Sequence, residues 1–335
     1  MKRRIIFSMI IVATIVGGFF YVRAQIYFSH GDKNQNVIFE IKKGEGNAQI
    51  ADNLERDGII SWKLYFLAYL KSQDLLNKIY PGEYLLNGDM TIPEIVIVIT
   101  DSKKVFEKVL FKEGWVATQM AEELQLHGFD GDAFLAIVNN PSKELVNQFS
   151  VFTDKPEIAT LEGYLFPDTY YFAQESTPEG IVKKILNNTE TKIDGDLRAE
   201  IKKQQKTIFD VIIMASIVER EVSSEEDRAI VSGLFWNRLV IGQALQSDAT
   251  LSYIFNDKRG AHNLTQTKVD SPYNTYANSG LPIGPVSNPG LSAIKAAIYP
   301  KSSQYNYFLS DPETGQTIFS KTFEEHVENK FKYGL

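Results

Sequence analysis

The chain has 335 residues, of which 42 are acidic and 35 are basic, so its formal charge is −7. This length is enough for about two domains, and the acidic balance argues against a general nucleic-acid-binding protein, which needs a positive surface. Hydrophobic residues make up 44 % of the chain and charged residues 23 %, which excludes a largely disordered protein. The absence of cysteine excludes thiol catalysis, disulfide bonds and cysteine-ligated zinc.

The N-terminal segment has the pattern of a membrane anchor. Three basic residues at positions 2–4 precede an uncharged run at residues 5–22, which is near the lower length limit for crossing a bilayer as a helix. The basic cluster favours a cytoplasmic N-terminus and places the rest of the chain outside the cytoplasm. A cleaved signal peptide is the alternative, but residues 19–24 match a cleavage site poorly. The sequence therefore predicts a cytoplasmic tail at residues 1–4, a single transmembrane helix at 5–22 and a linker at 23–36.

The next segment predicts a small unit in the order strand, helix, helix, strand. Residues 37–41 alternate like a strand, and Asn47 and Ser61 stand where they could cap two amphipathic helices. A second strand is predicted at 83–86, after a proline–glycine turn. Residues 91–100 are rich in β-branched side chains, but a threonine followed by a proline at their start favours a helix.

In the second half, residues 208–222 predict a helix that is apolar almost all round and is therefore buried. It ends in two glutamates, Glu219 and Glu221. Burial and the negative end of the helix dipole both disfavour an ionised carboxylate, so an acid here should keep its proton to higher pH, as a general acid requires. Residues two apart on a helix point about 200° apart. One glutamate can therefore face a cleft while the other pairs with Arg228 or Arg238, and a salt-bridged helix end without catalysis is the competing interpretation.

Other candidate chemistry is weaker. The segment Gln246, Ser247 and Asp248 could supply a second carboxylate, but the favoured interpretation is that Ser247 or Asp248 merely caps the helix that follows. The aromatic residues around Asp168 suit stacking on sugar rings, although this spacing is also typical of a half-buried strand. The four histidines lack the spacing of zinc ligands, and the sequence has no nucleophile elbow or phosphate-binding glycine loop. No metal and no cofactor are therefore predicted.

Seven motifs of the second half, in this order, resemble the endolytic murein transglycosylases of the YceG-like family. They are LEGYLFPDTY at 161–170, ASIVERE at 215–221, NRL at 237–239, LQSD at 245–248, YNTY at 273–276, GLP at 280–282 and NPG at 288–290. The resemblance covers about residues 155–335. It implies an α+β fold with one N-terminal transmembrane helix, a small LysM-like βααβ module at 37–102, a connecting α/β subdomain at 103–154 and a catalytic domain at 155–335 built around the buried helix.

The resemblance also implies lytic cleavage of the MurNAc-β-1,4-GlcNAc bond of peptidoglycan, with 1,6-anhydro-MurNAc ends. The catalytic acid of the family falls on Glu221, which would act first as acid and then as base. The other matching residues are expected to bind the glycan or to hold Glu221: Tyr164, Asp168, Glu219, Asn237, Arg238, Gln246, Ser247, Asp248, Asn274 and Tyr276. Expected partners are glycan strands, peptidoglycan synthases and the cytoplasmic membrane, and no nucleic acid.

Two other functions stay open at this point. One is a glycan hydrolase with Glu221 as the acid and Asp248 or Glu162 as base or nucleophile, and the other is a non-catalytic glycan-binding anchor for wall-synthesis enzymes.

The sequence also departs from the family pattern at three positions. Ala249 replaces a common proline, Ile283 replaces the second proline of a GLPPG motif, and Thr317 lies near a common histidine. The first two changes are expected to alter only loop stiffness, whereas the third would remove a groove contact.

Overall fold

The structure is a computed structural model that describes residues 2–29, 36–76, 78–257, 262–311 and 314–335. The fold is mixed α+β. Contacts within the chain define two compact units. The first comprises Met1–Lys108 and Tyr171–Ser176, and the second comprises Val109–Tyr170 and Thr177–Leu335.

The first unit begins with one long apolar helix, α1 (Lys2–Tyr27). Its segment Met9–Tyr27 is 19 residues long and apolar enough to cross a membrane, and none of it is buried inside the structure. Phe19 and Phe20, for example, are 61 % and 62 % exposed. Apolar side chains exposed on a helix of this length are typical of a membrane span or of an N-terminal signal sequence.

The rest of the first unit has the predicted order of strand, helix, helix and strand. Its elements are β1 (Asn36–Ile41), α2 (Asn47–Arg56), α3 (Lys63–Ser72) and β2 (Gly82–Asn87), followed by α4 (Ile92–Ile99). The strands β1 and β2 pair antiparallel, in a register that runs from Asn36 opposite Asn87 to Ile41 opposite Gly82. Alternate strand residues and one face of each helix enclose a core that includes Phe39, Phe66 and Tyr84.

Residues 92–99 are helical despite their β-branched side chains. The Thr91 hydroxyl accepts from the Glu94 backbone N–H at 3.4 Å, and the Glu94 carboxylate accepts from the Thr91 N–H at 2.8 Å. This capping box satisfies two N–H groups at the helix start, and Ile92, Ile95 and Ile99 are buried on one face. The prediction of a helix here is confirmed.

Three predicted helix caps are wrong. Helix α2 begins at Asn47 itself, and the side chains of Asn47 and Ser61 donate instead to groups elsewhere in the unit, at 2.6 and 2.9 Å. The spacing of Ser223 and Glu226 in the sequence predicts a third cap, a capping box that begins at Ser223. It is displaced by one residue, because Ser224 accepts from the Asp227 N–H at 3.1 Å. Sequence spacing fixes a helix start only to within a residue or two, since adjacent polar residues compete for the cap.

Two strands, β3 (Phe106–Leu110) and β4 (Thr169–Ala173), each contribute residues to both units. The four strands form one sheet in the order β1-β2-β3-β4. Beyond the end of β3, the Phe111 N–H donates to the Asp168 carbonyl at 3.0 Å.

The second unit is mostly helical. Its further elements are α5 (Ala117–Leu126), α6 (Gly131–Asn139), α7 (Lys143–Val146), α8 (Pro178–Lys192), α9 (Gly195–Lys203), α10 (Ile208–Glu221), α11 (Glu225–Val240), α12 (Asp248–Phe255), α13 (Leu291–Ile298), the hairpin β5 (Tyr307–Ser310) and β6 (Thr317–Ser320), and α14 (Phe323–Lys332). The sequence predicts a hairpin of residues 305–309 and 316–319 and a final helix capped by Thr322, and both are confirmed.

Helix α10 is the centre of this unit, as predicted from its apolar sequence. It is capped by Thr207, whose hydroxyl accepts from the Asp210 N–H at 2.9 Å, and it packs against α11, α12 and α13. Every residue from Ile208 to Val218 except Asp210 is buried. The chain leaves α10 in an extended conformation at Val222. The last turn of α10, Glu219–Glu221, therefore lies at the edge of the core and is only partly exposed.

Candidate active site

The last residue of α10, Glu221, lies against the first turn of α12. Its carboxylate accepts a hydrogen bond from the Ser247 hydroxyl. Burial raises the pKa of the Glu221 carboxyl to about 6, and the charge of Asp248 adds to the rise, while the Ser247 hydroxyl, the backbone N–H of Ala249 and Arg220 partly oppose it. A carboxyl with such a pKa keeps a proton closer to neutral pH than a solvated glutamate does, as a general acid requires.

Ser247 orients this carboxyl. It occupies the N-cap position of α12, but its hydroxyl donates to Glu221 instead of accepting from the helix. The Ser247 side chain is buried, and its own N–H donates to the Thr275 hydroxyl at 3.0 Å. The alternative that Ser247 merely caps the helix is therefore wrong, because the end of α10 arrives within reach of its hydroxyl.

A second carboxylate lies beside the first. Asp248 accepts from the Tyr276 hydroxyl at 3.1 Å, and its Oδ1 atom lies 3.3 Å from Nδ1 of His262. Burial raises the pKa of the Tyr276 phenol and Asp248 adds to the rise, so the phenol stays a hydrogen-bond donor. The Asp248 side chain is 32 % exposed, which leaves it open to solvent on one side.

Glu219 contacts a different set of groups, and each of its two carboxylate oxygens accepts a hydrogen bond. Its side chain is 4 % exposed, with Arg228 Nη2 at 2.5 Å from one oxygen and the Gly290 N–H at 3.0 Å from the other. Burial raises the pKa of Glu219 to about 7, and the guanidinium opposes the rise. The prediction that one glutamate of the pair contacts Arg228 is confirmed.

Two more candidate residues hold the backbone around the site. The buried Arg238 donates to the Leu245 carbonyl at 2.6 Å and to the Asn306 carbonyl at 2.8 Å. The buried Asn274 donates to two backbone carbonyls of the preceding loop and accepts from the Tyr276 N–H at 2.9 Å. These contacts brace the chain just before Ser247 and at Tyr276.

Gln246 and Asn237 are exposed. Gln246 precedes Ser247 and has a left-handed backbone with φ of 53°, and its N–H donates to the Thr275 carbonyl at 3.0 Å. A non-glycine residue in this region of φ/ψ space is uncommon and is found at turns and functional sites. Asn237 lies on the surface of α11.

The structure places Tyr164 and Asp168 elsewhere. Tyr164 is fully buried, and its ring packs edge-on against Phe152 with centroids 4.8 Å apart. The Asp168 carboxylate accepts from the Asn188 amide at 3.0 Å and lies 3.7 Å from the Lys192 ammonium. In this conformation Tyr164 offers no side-chain surface to a ligand, and Asp168 belongs to a polar contact between β4 and α8.

A buried hydrogen-bonded pair, Asn288 and Glu162, joins two of the motifs. Asn288 accepts from the N–H groups of Gly163 and Leu165 at 2.8 and 2.9 Å, and its amide donates to Glu162 at 2.6 Å. Glu162 also accepts from the N–H of Ala117 at the start of α5, and burial raises its pKa to about 7. The sequence offered Glu162 only as a second carboxyl for a hydrolase and Asn288 only as a motif member, and the 126 positions between them hide the contact.

A cavity of about 410 Å³ lies on the Arg220 side of this helix end. It is lined by Val116, Ala117, Thr118, Gln119, Leu135, Asn139, Glu162, Arg220, Ser252, Tyr253, Asn256 and Asp257. Its size is in the range of small-ligand sites. Among the described residues, no three His, Asp or Glu side chains come together as metal ligands.

The comparisons with known proteins agree with these motifs. A family model described as the YceG-like family matches residues 39–332. The chain belongs to the YceG-like family. A crystal structure of a yceG-like protein from Listeria monocytogenes is 32 % identical to it and covers 88 % of this chain and 99 % of that one, with a TM-score of 0.61.

Two curated relatives of this YceG-like chain have the same name. A Bacillus subtilis (strain 168) protein named endolytic murein transglycosylase is 30 % identical, over 95 % of this chain and 91 % of that protein. A Streptococcus pneumoniae (strain D39) protein of that name is 28 % identical, over 93 % of this chain and 62 % of that protein. The chain thus spans nearly the whole Bacillus relative and about three fifths of the pneumococcal one.

One departure from the YceG-like pattern lies beside the acid. Ala249 is in the first turn of α12, and its backbone N–H favours the ionised form of Glu221. That the residue at this position alters only loop stiffness stays a prediction. Ile283 is 47 % exposed in the loop before α13, and Thr317 is the first residue of β6.

We expect a Glu219→Gln variant of this YceG-like protein to be less stable by about 2–4 kcal/mol, because the buried Arg228 charge loses its near carboxylate partner and keeps only Glu113, at 3.9 Å. Urea unfolding at pH 7 measures the difference. Glu200→Gln, which changes an exposed pair with Lys203, is the matched control and should unfold almost like the wild type. Equal midpoints for Glu219→Gln and the wild type would contradict the prediction.

Proposed function

We propose that this protein is a membrane-anchored endolytic lytic transglycosylase that cleaves glycan strands of peptidoglycan. Family membership and the names of the curated relatives support the class of reaction. The single observation that carries the mechanism is the Glu221 carboxyl, which burial keeps protonated to higher pH and which the Ser247 hydroxyl holds at the end of α10.

In the proposed first step, Glu221 donates its proton to the glycosidic oxygen of a MurNAc-β-1,4-GlcNAc bond, and the bond from this oxygen to C1 breaks. The carboxylate that forms is stabilised by Ser247 and by the Ala249 N–H. The same carboxylate then accepts the proton of the C6 hydroxyl as that oxygen bonds to C1. The product is a 1,6-anhydro-MurNAc end, and no water is consumed.

This sequence of steps needs one acid–base carboxyl, whereas hydrolysis by most glycosidases needs two carboxyls that attack the sugar or activate water. Glu162 is a poor second carboxyl because it is 5 % exposed and accepts from Ala117 and Asn288. In our proposal the Asp248 carboxylate lies beside Glu221 and stabilises the positive charge that develops at C1. Its hydrogen bond from Tyr276 fixes its direction.

The proposed contacts to the glycan involve the exposed or half-exposed polar residues near Glu221, which are Gln246, Asp248, Tyr276 and, on α11, Asn237. Ser247, Arg238 and Asn274 hold the surrounding backbone and the acid in place, and Glu219 fixes the end of α10 through Arg228. Tyr164 and Asp168 support the fold in this proposal.

We also propose that α1 anchors the protein in the cytoplasmic membrane with residues 1–4 in the cytoplasm, which the basic cluster at positions 2–4 supports. Residues 37–102 are proposed to be a LysM-like module, because β1, α2, α3 and β2 follow each other in that order. Residues 103–154 connect it to a catalytic domain at 155–335. Such an anchor would keep the enzyme near nascent strands and peptidoglycan synthases.

The test is analysis of the products. We expect the full chain, in detergent, to release fragments from purified peptidoglycan that end in 1,6-anhydro-MurNAc, as read by mass spectrometry. Fragments with reducing MurNAc ends would reject the lytic step in favour of a hydrolase. Binding of glycan strands without any cleavage would reject an enzyme and favour an anchor for wall-synthesis enzymes.

A further inference from the structure

The C-terminal end of α1 packs on the proposed module within the first unit. The side chains at residues 9–23 are all exposed, whereas those at 24–26 are half-buried. Ile26 packs against the core of the module, and the Ser61 hydroxyl donates to Gln25 Oε1 at 2.9 Å, where α3 meets α1. The module is therefore held at the end of the apolar helix by direct contacts.

The length of the uncharged run sets the level of these contacts relative to a bilayer. Residues 5–22 are about 27 Å long as a helix, close to the ~30 Å thickness of a hydrocarbon core. Arg23 is the next residue and the first charged one, so it falls at the edge of that core. Residues 23–27 rise about 6 Å more, which is about the thickness of one headgroup layer. The contacts of Gln25 and Ile26 with the module therefore lie at the level of the headgroups.

The exposed side chains beside these contacts are aromatic or apolar. Trp62 and Leu64 at the start of α3, and Tyr27 and Phe28 at the end of α1, are each more than half exposed. The ring of Trp62 lies 6.2 Å from that of Tyr65, between centroids, which directs it along the surface of α3. We call Tyr27, Phe28, Trp62 and Leu64 the interfacial patch.

Two contacts give the direction of α3 relative to α1. Ser61, just before α3, contacts Gln25, whereas Tyr69, near the end of α3, has its ring 6.3 Å from that of Tyr27. The N-terminal end of α3 is therefore nearer the uncharged run than its C-terminal end is. This end carries the two residues that α3 contributes to the interfacial patch.

We propose that the interfacial patch lies in the headgroup layer of the membrane that α1 spans and holds the module against the lipid surface. The proposal rests on the proposed anchoring by α1 and adds a second contact with the same bilayer. Tryptophan and tyrosine are enriched at membrane–water interfaces, because their rings are apolar and their N–H and O–H groups are polar. The module is then a part of the membrane contact, with its position fixed relative to the lipid.

A lipid surface fits this patch because the patch is continuous with the apolar helix and lies where a bilayer around that helix ends. The contact is apolar rather than ionic. Lys63, between the two α3 residues of the patch, pairs with Asp52 at 2.6 Å, so its charge is already compensated. Uncharged phosphatidylcholine should therefore be sufficient for the contact.

The first test uses the absence of cysteine in the chain, which lets one introduced cysteine carry a spin label. The full chain is reconstituted in phosphatidylcholine nanodiscs with the label at Leu64→Cys. The label's accessibility to oxygen, which concentrates in lipid, is compared with its accessibility to a water-soluble nickel complex. We expect this ratio to be severalfold higher than for a label at Leu85→Cys.

Leu85 is the matched control because it is an exposed leucine of the same unit. Its neighbours Tyr84 and Leu86 are buried in the core, so Leu85 lies on the opposite face of β2 from the core that α3 covers. Equal ratios at the two positions would overturn the proposal. A Leu64→Cys label shielded from both reagents would indicate a protein contact there, such as a second copy of the chain, and would overturn it too.

The second test uses the natural tryptophan and no label. In nanodiscs of phosphatidylcholine brominated high on its acyl chains, bromine should quench part of the emission of the three tryptophans. Trp62→Phe keeps an apolar ring in the patch, so the contact should persist while its probe is lost. We expect the quenched part of the emission to fall in this variant. An equal quenched part in the variant and the wild type would contradict the proposal.

The same preparations test the anchor separately. A chain that elutes apart from the nanodiscs would overturn both the proposed anchoring by α1 and the contact of the interfacial patch. A chain that elutes with the nanodiscs, but whose labels at positions 64 and 85 behave alike, would overturn the contact alone. None of these substitutions lies at the candidate active site, so the lytic reaction is tested independently by its products.

Discussion

Replacing Glu221 with glutamine should lower peptidoglycan cleavage by about 10²–10⁴-fold, because the amide has the shape of the acid but no proton to give. The amide oxygen can still accept from the Ser247 hydroxyl, so the end of α10 should keep its position. Release of soluble muropeptides from purified peptidoglycan at pH 5.5 measures the loss. Glu225→Gln, at the exposed first turn of α11, is the matched control and should cleave at the wild-type rate.

The same Glu221→Gln variant should unfold at the wild-type temperature or above at pH 7. The folded state raises the pKa of Glu221 above the usual value of a glutamate, so ionisation costs the folded protein stability as pH rises above that usual value. Glutamine carries no charge and avoids this cost. Turnover near the wild-type rate in a folded variant would remove Glu221 from the acid role, and Glu219→Gln should lose less than about tenfold, since that carboxyl is engaged by Arg228.

Replacing Asn288 with alanine should lower the free energy of unfolding by about 3–5 kcal/mol, among the largest effects of any single change in the chain. This fully buried amide accepts from two backbone N–H groups, those of Gly163 and Leu165, and donates to Glu162. Alanine would leave all three buried groups without these partners. The expected cost follows from the number of buried polar groups left unsatisfied.

Urea denaturation followed by circular dichroism measures this loss. Asn187→Ala, on the exposed face of α8, is the matched control and should stay within about 0.5 kcal/mol of the wild type. A midpoint for Asn288→Ala equal to that of the control would show that the polar contacts of Asn288 contribute little. The backbone at Gly163 has little room to shift toward new hydrogen-bond partners, because it packs so tightly that even a Cβ there would lie 2.5 Å from Pro285.

Local sequence patterns were sufficient to predict several of the helices. The apolar run that forms α1, the all-apolar α10 and the capping box of α4 are each contained within a few turns of one helix. Hydrophobic periodicity and capping chemistry act over the same short distance, so the sequence predicts such elements directly. The pairing of one glutamate of α10 with Arg228, nine positions away, is also of this local kind.

The motifs could be read from the sequence, but the roles within them could not. Tyr164 and Gly163 are neighbours in one motif, yet one fills the core and the other lets the chain pass close to Pro285. Whether a polar residue binds a ligand or braces a loop depends on burial and on partners from distant segments. For that reason the sequence leaves open whether Asn274 binds the glycan or helps to hold Glu221, while the structure shows its amide donating to two backbone carbonyls.

The apolar N-terminal helix, the buried central helix and the two glutamates at its end could be read from the sequence, because each depends on residues that are close in the chain. The groups that contact each glutamate carboxylate depend on how distant segments pack in the tertiary structure. The contact of Ser247 with Glu221 spans 26 positions, and that of Asn288 with Glu162 spans 126. A carboxyl acquires its pKa from burial and neighbouring charge, which exist only once these segments have packed together.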